Sequence, residues 1–447
     1  LAAGTGLSSC QIGKSYTRPD MPLPARLDTL TQDTASIGDL SWWELYNDTT
    51  LQQLIHRALT YNKDLKIASA RMNELAALKR IDFANMFPQA TARLNGNRET
   101  TNYGGDNFDA DPELSLTASI SWELDLWGNL RWARDHSTAG FLASVENCRA
   151  VKMGLVAQVA QSYFELMALD NELAIVRRTL EARREGVRLA EIRFKGGLTS
   201  EIVFQQAKVE LAKTATMVPD LERRISLKES EIALLTGDFP YAVNRNVLPE
   251  EIQLPDALPL GLPSTLLERR PDIRKAEREL MAAHAEVGLA YTNMFPRLAL
   301  TATLGAESET LRDLLKSPYS YLAGNLLSPL FAMGKNRAAL KAKRAAYEGA
   351  VAEYEKTVLT AFKETHNAII NFNKIKDIYE SRRQLAEASR TAVELAQLQY
   401  INGVIGYLDL LDAQRNYFDA QVSLSNAVCD KQLMIINLYK ALGGGWK

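Results

Sequence analysis

Long hydrophobic runs are missing from this chain of 447 residues. No window holds eighteen uninterrupted apolar residues, so no transmembrane helix is present, and any crossing of a bilayer must use strands. Charge of one sign is missing as well. Fifty-two basic and 54 acidic residues leave a formal net charge of −2, which gives no electrostatic footprint for nucleic acid. Histidine is scarce: His56, His136, His284 and His366 lie far apart on helical patterns, with no His-x-x-x-His pair. There is no Gly-x-Ser-x-Gly elbow, and the glycine-rich stretches lack the Lys-Ser/Thr of a phosphate loop. With no nucleophile, metal or cofactor set, the sequence predicts neither an enzyme nor a bound cofactor. Cysteine is limited to Cys10, Cys148 and Cys429, and the last two are too scattered for zinc. Proline is absent from 130–194 and from 336–400, so nothing interrupts a helix in either stretch.

What is present comes twice. Asn85-Met86-Phe87-Pro88 recurs as Asn293-Met294-Phe295-Pro296, at an offset of 295 − 87 = 208. Trp127-Gly128-Asn129 matches Met333-Gly334-Lys335-Asn336, and Arg193-Phe194-Lys195-Gly196-Gly197-Leu198 matches Gln399-Tyr400-Ile401-Asn402-Gly403-Val404, both at an offset of 206. Three matches in one order at a near-constant offset mark a tandem duplication of a large unit. The divisions that follow are an extended arm over 1–40, a first repeat over 41–238, a proline-rich linker over 239–263 and a second repeat over 264–447.

Each repeat joins two periodicities. Leu114, Leu116, Ala118, Ile120, Trp122, Leu124 and Leu126 alternate strictly with Ser115, Thr117, Ser119, Ser121, Glu123 and Asp125, a period of two that marks a strand. With a preceding strand at 90–98 and turn residues 101–107, this predicts a hairpin over about 90–126. Leu298, Leu300, Ala302, Leu304 and Ala306 repeat the pattern, predicting a second hairpin over about 298–331. Each is followed by a helical hairpin, about 130–236 and about 336–442. Its first helix carries apolar residues at steps of three and four and would be close to ~100 Å long. The turns at 195–197 and 401–403 hold the glycine that a helix stop with a left-handed residue uses. Asp48–Asn62 and Lys63–Phe87 predict two further helices, the second ended by Pro88.

The apolar strand face needs an apolar neighbour, which in water would be a packed sheet and in a membrane would be lipid. Two features favour lipid. The opposite face is Ser, Thr, Asp and Glu, as an aqueous lumen requires, and Trp122, Trp127 and Trp132 fall where an interfacial aromatic girdle would sit. An open four-stranded sheet in lipid would leave unpaired backbone groups at its edges, so the chain must close a barrel with copies of itself. Cys10, after Leu7-Ser8-Ser9 and before a Pro-rich polar stretch, has the small-residue approach of a bacterial lipoprotein signal and is the candidate acylation site. Asp409 and Asp412 are three apart and share one helix face. Taken alone, they also fit a simple role at the N-terminal end of the helix dipole.

The chain resembles the TolC-like outer-membrane efflux proteins, specifically the lipoprotein branch serving resistance-nodulation-division (RND) pumps. The resemblance is carried by Ser41-Trp42-Trp43 with Leu51-Gln52-Gln53-Leu54-Ile55, the Asn-x-Asp-Leu of Asn62 to Leu65, and the two Phe-Pro junctions. Asp125-Leu126-Trp127-Gly128, Leu266-Leu267-Glu268-Arg269-Arg270-Pro271-Asp272-Ile273 and Leu408 to Arg415 complete it, with Cys10 ahead of Tyr16-x-Arg18-Pro19. It implies an α+β membrane protein: a homotrimer with a twelve-stranded transmembrane barrel, four strands per chain, continuous with a long periplasmic α-helical coiled-coil barrel. It implies an outer-membrane, lipid-anchored location and a passive exit duct for drugs or other small molecules. The partners would be a periplasmic adaptor, an inner-membrane RND transporter and outer-membrane lipid. By the same resemblance, Leu408 is an apolar gate ring, Asp409 and Asp412 form acidic rings at the periplasmic mouth, and Arg415 joins the contacts that hold the mouth shut. Gly197, Leu198, Thr199, Gly403, Val404 and Ile405 would be the tips that meet the adaptor. The first copy has Val203 and Gln206 where the second has Asp409 and Asp412, so the two tips are not equivalent. Metal-ion efflux, type I secretion and a structural envelope lipoprotein are the alternatives.

Overall fold

The computed structural model describes residues 11–24, 36–45, 48–101, 109–245 and 263–446. In chain order the elements are α1 (Trp42–Leu45), α2 (Thr49–Tyr61), α3 (Lys63–Ala84), β1 (Gln89–Thr101), β2 (Asp109–Leu124), α4 (Asn129–Lys195) and α5 (Glu201–Leu235). They continue as α6 (Pro263–Arg269), α7 (Pro271–Thr292), β3 (Arg297–Ser308), β4 (Pro318–Leu327), α8 (Lys335–Ile401) and α9 (Tyr407–Ala441). The chain divides into two compact units, one holding Ala70–Glu146 and Lys275–Thr357, the other Asn147–Arg274 and Val358–Lys447. Each unit therefore draws on both sequence copies.

In the first unit the strands form one antiparallel sheet in the order β1-β2-β3-β4. Its register sorts the side chains by chemistry. Ala90, Ala92 and Leu94 pair with Ile120, Ala118 and Leu116. Trp122, Ile120 and Ala118 pair with Leu300, Ala302 and Leu304, and Leu300, Ala302 and Leu304 with Gly324, Leu322 and Ser320. Cross-strand partners share a face, so one side of the sheet is nearly all apolar. The other carries Thr91, Asn95, Ser119, Ser121, Thr301 and Thr303, with Ser119 Oγ and Thr303 Oγ1 2.9 Å apart. Two strand ends fall short of the predicted ones. Leu126 is outside β2 because the Asp125 carboxylate turns back to accept from the backbone N–H groups of Leu130 and Arg131, at 3.0 and 3.2 Å, and so opens α4. β4 stops at Leu327 rather than 331 because Pro329 has no N–H for the ladder.

Trp132 corrects the predicted aromatic girdle. It is 6% exposed and its indole N–H donates to Ile12 O at 3.0 Å, so it lies under the N-terminal arm. Trp122 remains partly exposed, donating to Met86 O at 3.0 Å. The described arm is fastened further along by Arg18, whose Nε and Nη2 donate to the two Glu277 carboxylate oxygens at 2.7 and 2.6 Å. Cys10 lies outside the described residues.

The second unit is helical. Asp48 Oδ1 accepts from Thr50 N and Leu51 N at 2.8 and 3.1 Å and starts α2, whose Leu51, Leu54, Ile55 and Ala58 are buried. The same carboxylate accepts the Tyr163 hydroxyl on Oδ2 at 2.8 Å. Around Tyr163 runs a core that includes Val159, Leu166, Val176, Ile232, Phe372, Ile436 and Leu438, where each fully buried aliphatic side chain contributes about 1.5–3 kcal/mol. The sequence pattern did not mark α6 and α7, although the duplication makes α7 the partner of α3. α5 also runs through Pro219 without a break.

Duplication is visible in the backbone. Gly128 and Gly334 (φ 83° and 79°), Gly197 and Gly403 (73° and 75°), and Gly237 and Gly443 (76° and 83°) are left-handed at an offset of 206. Each of the last four ends a helix with paired bonds, as where Gly197 N donates to Phe194 O at 2.9 Å and Leu198 N to Arg193 O at 2.8 Å. That is a Schellman stop. No helix among the described residues is long and apolar enough to cross a membrane.

Candidate functional site

The two helical hairpins of the second unit end in tips that hold every candidate residue except Cys10. In the first tip, Gly197 turns α4 toward α5, and Leu198 stands 72% exposed. In the second, Gly403 turns α8 toward α9, with Val404 71% exposed and Ile405 half-buried. Thr199 Oγ1 is buried without a hydrogen-bond partner. Aromatic groups brace both turns: Phe194 stacks on Phe204 at 6.1 Å, Tyr400 meets Tyr407 at 5.8 Å, and the Arg193 guanidinium lies 4.8 Å from the Tyr400 ring centre.

The acidic run of α9 divides by function. Asp409 Oδ2 accepts the Gly406 N–H at 3.0 Å, so this carboxylate closes the free end of the helix from its third position. Ser200, at the matching start of α5, makes no side-chain cap bond. Asp412 Oδ2 accepts from Asn416 Nδ2 at 3.3 Å. Both aspartates are exposed, as is Leu408, whose apolar side chain is 59% open. The neighbours Leu410 and Leu411 are buried, which fixes the face that Leu408, Asp409 and Asp412 present away from the core.

Arg415 has a partner that sequence reading missed. Its Nε donates to Glu210 Oε1 on α5 at 3.1 Å, and its Nη2 reaches the same oxygen. On the other side Arg183 of α4 places Nη1 3.3 Å from Glu210 Oε2. Glu210 and Arg183 are nearly enclosed, with 5% and 7% of their side chains exposed, while Arg415 keeps 47%. One carboxylate thus ties three helices together. The Arg415 hydrogen bond, with charge from Arg183, holds the Glu210 carboxyl below the ordinary glutamate value. Burial pushes the Arg183 guanidinium down and the nearby Tyr407 hydroxyl up. The available signal in sequence was Glu210 itself, a charge on an inward helix position, readable only once the packing is known.

A second enclosed ion pair sits in the Arg269-Arg270-Pro271-Asp272 motif. Arg270 donates to both Asp272 oxygens at 3.1 and 2.6 Å, to Glu364 at 2.7 Å and to Ala441 O at 3.2 Å. It welds the start of α7 to α8 and to the end of α9.

Residues 54–238 and 262–444 match the family model for outer membrane efflux proteins. The chain belongs to the outer membrane efflux protein family. It is 31% identical to the outer membrane protein OprJ of Pseudomonas aeruginosa, over 98% of this chain and 94% of that protein. It is 28% identical to the cation efflux system protein CusC of Escherichia coli, over 99% and 97%. The structure of the outer-membrane channel OprN superposes with a TM-score of 0.91 at 31% identity, covering 98% of this chain and all of that one. As an outer membrane efflux protein, the chain is placed in the outer membrane. The α+β architecture that the resemblance implies is the one it has.

Proposed function

We propose that this outer membrane efflux protein is the exit duct of a tripartite pump, assembled from three copies. One observation carries the proposal: the sheet is open and its apolar face is bare. Leu94, Ile120, Leu304 and Leu322 are 66%, 54%, 68% and 80% exposed, and β1 and β4 are its edges. Lipid covers such a face, and only closure with further copies satisfies the edge N–H and C=O groups. Three copies give a twelve-stranded barrel, from which α4, α5, α8 and α9 run into the periplasm as a helical barrel. Cargo is delivered by an inner-membrane RND transporter and a periplasmic adaptor, and leaves without chemistry. Drugs and similar small molecules are the cargo class. Cys10 carries the lipid anchor.

The mouth of the duct is the α9 face. Threefold symmetry turns Leu408 into an apolar ring and Asp409 and Asp412 into acidic rings, while Gly197–Thr199 and Gly403–Ile405 meet the adaptor. The Gly406–Asp409 bond supports a capping role for Asp409, and capping leaves its second oxygen for the ring. Light scattering of detergent-solubilised protein should give three chains per particle, and planar bilayers should show single-channel conductance. Asp409→Ala with Asp412→Ala should keep pore size while lowering cation selectivity and block by multivalent cations. Capping alone predicts a loss of about 1 kcal/mol of helix stability with selectivity unchanged, and that result would remove the ring from the scheme.

A further inference from the structure

In the strand-bearing unit each short helix meets the long helix of its own repeat. Phe141 of α4 meets α3, with the Lys79 ammonium 5.1 Å from its ring centre. Tyr347 of α8, its counterpart at 347 − 141 = 206, meets α7, where the His284 ring lies 5.7 Å away. A further joint, between α4 and α7, ties the two repeats together. Asn129 Nδ2 donates to Thr292 Oγ1 and Asn293 Oδ1, each at 2.9 Å. The Trp127 indole N–H donates to Pro296 O at 2.7 Å, and its ring lies 5.3 Å from that of Phe295. Trp132 covers Gly288, where a Cβ would stand 2.3 Å from the indole. The helices therefore run α3-α4-α7-α8, the order of their strands.

Among the described residues this joint between repeats closes once, and its two halves recur unmatched at the ends of the row. The short helices α3 and α7 are 208 residues apart at both ends, and the starts of α4 and α8 are 206 apart. Met333 and Lys335 thus hold the places of Trp127 and Asn129, while Asn85 and Phe87 hold those of Asn293 and Phe295. Burial divides the same way. Trp132, Ala139 and Ala143 of α4 are buried, but Ala338, Ala345 and Gly349 at the same places of α8 are exposed. Ala285, Gly288 and Thr292 of α7 are buried, but Ala77, Arg80 and Ala84 of α3 are exposed. Met333 and Phe87 stand 86% and 53% exposed, so the chain leaves two large apolar groups bare where it stacks two rings internally. Asn293 Oδ1 accepts from Arg297 at 2.6 Å as well as from Asn129. Asn85 Oδ1 accepts from Gln89 at 3.2 Å, and the residue at the place of the second donor, Lys335, stands at the other end of the row.

We propose, resting on the three-copy reading above, that α8 of one copy docks on α3 of the next in the register of the joint between repeats. Lys335 Nζ then donates to Asn85 Oδ1 of the next copy, the Met333 thioether lies against the Phe87 ring, and Arg80 covers Ala338. The last pair exchanges bulk, since inside the chain the large residue, Trp132, belongs to the long helix and the small one, Gly288, to the short. Asn85→Cys with Lys335→Cys, treated with a short bismaleimide in detergent, tests this register, and Phe87→Cys with Met333→Cys repeats the test on the adjoining pair. Light scattering first checks that the particles hold three chains. Covalent dimer and trimer should then dominate a denaturing gel for both pairs. Asn85→Cys with Lys343→Cys should give about tenfold less, because only a held pair reacts at high effective concentration and Lys343 is turned to its own α7 through Glu286 at 2.7 Å. Three-chain particles without cross-linked species, or with equal yields from the Lys335 and Lys343 variants, would overturn the joint and leave the barrel standing. A parent that is not trimeric would remove the three-copy reading and the joint with it.

Discussion

Arg270 has only 4% of its surface exposed, and its charge is tolerable because every reachable direction ends on an acceptor. Removing Arg270 takes this donor from the buried Ala441 carbonyl and leaves Asp272 and Glu364, 36% and 49% exposed, to solvent, at a cost of about 1–3 kcal/mol. Arg270→Met should therefore lower the melting temperature of the purified protein markedly. Arg390→Ala should leave it unchanged, because the Arg390–Glu394 pair is 68% and 62% exposed and such pairs are worth about 0–1 kcal/mol. Glu210 gives a residue-scale prediction of another kind. Its folded carboxyl is held below the ordinary 4.5, so the clamp on Arg415 and Arg183 is at full strength above that value and is lost as pH falls through the lower, folded one. Basal conductance in bilayers should rise with acidification below pH 4.5. Glu210→Gln and Arg415→Ala should show the raised level already at neutral pH, and a flat pH response in the parent would separate Glu210 from the closed state. Of this candidate site, the run from Leu408 to Arg415 stands together in the sequence because about two turns of one helix hold it. Arg183 and Glu210 do not, because their meeting depends on how α4, α5 and α9 pack.

At the scale of elements, the turns are where a single backbone angle decides the structure. Gly403 has φ 75°, and a Cβ there would touch nothing within 4 Å, so the cost of a side chain is purely conformational. Gly403→Ala should lower stability by about 1–2 kcal/mol, the left-handed penalty of an L-residue, seen as a fall in melting temperature with little loss of helical circular dichroism. Gly288→Ala should cost more through overpacking, since its Cβ would run into the Trp132 ring. The hairpins and the long helices were legible because each keeps one period over many residues. The end of β2 was misplaced because Asp125 continues the alternation in sequence while its carboxylate has turned to cap α4. Trp132 was assigned to the membrane boundary because sequence does not show that Ile12 lies over it.

For the whole molecule, the question is which solvent each face of the sheet meets. Leu116 and Thr117 are neighbours in the middle of β2, and strand geometry points them to opposite sides. Leu116 is 39% exposed on the apolar face, while Thr117 is on the polar one, its hydroxyl 3.4 Å from Arg93 O. In a soluble sandwich both positions would tolerate or reject a cation according to local packing alone. In a barrel the two faces differ by the whole dielectric contrast between lipid and water. An arginine on the lipid side near mid-bilayer costs about 2–4 kcal/mol, whereas lumen substitutions alter selectivity. Leu116→Arg should therefore reduce the folded, heat-modifiable trimer recovered from outer membranes and from refolding into vesicles. Thr117→Arg should fold as the parent does and shift the channel toward anions, by threefold repetition of the new charge inside the pore. Equal folding yields for the two variants would mean that lipid does not cover the Leu116 face, and the barrel assignment would fall with it.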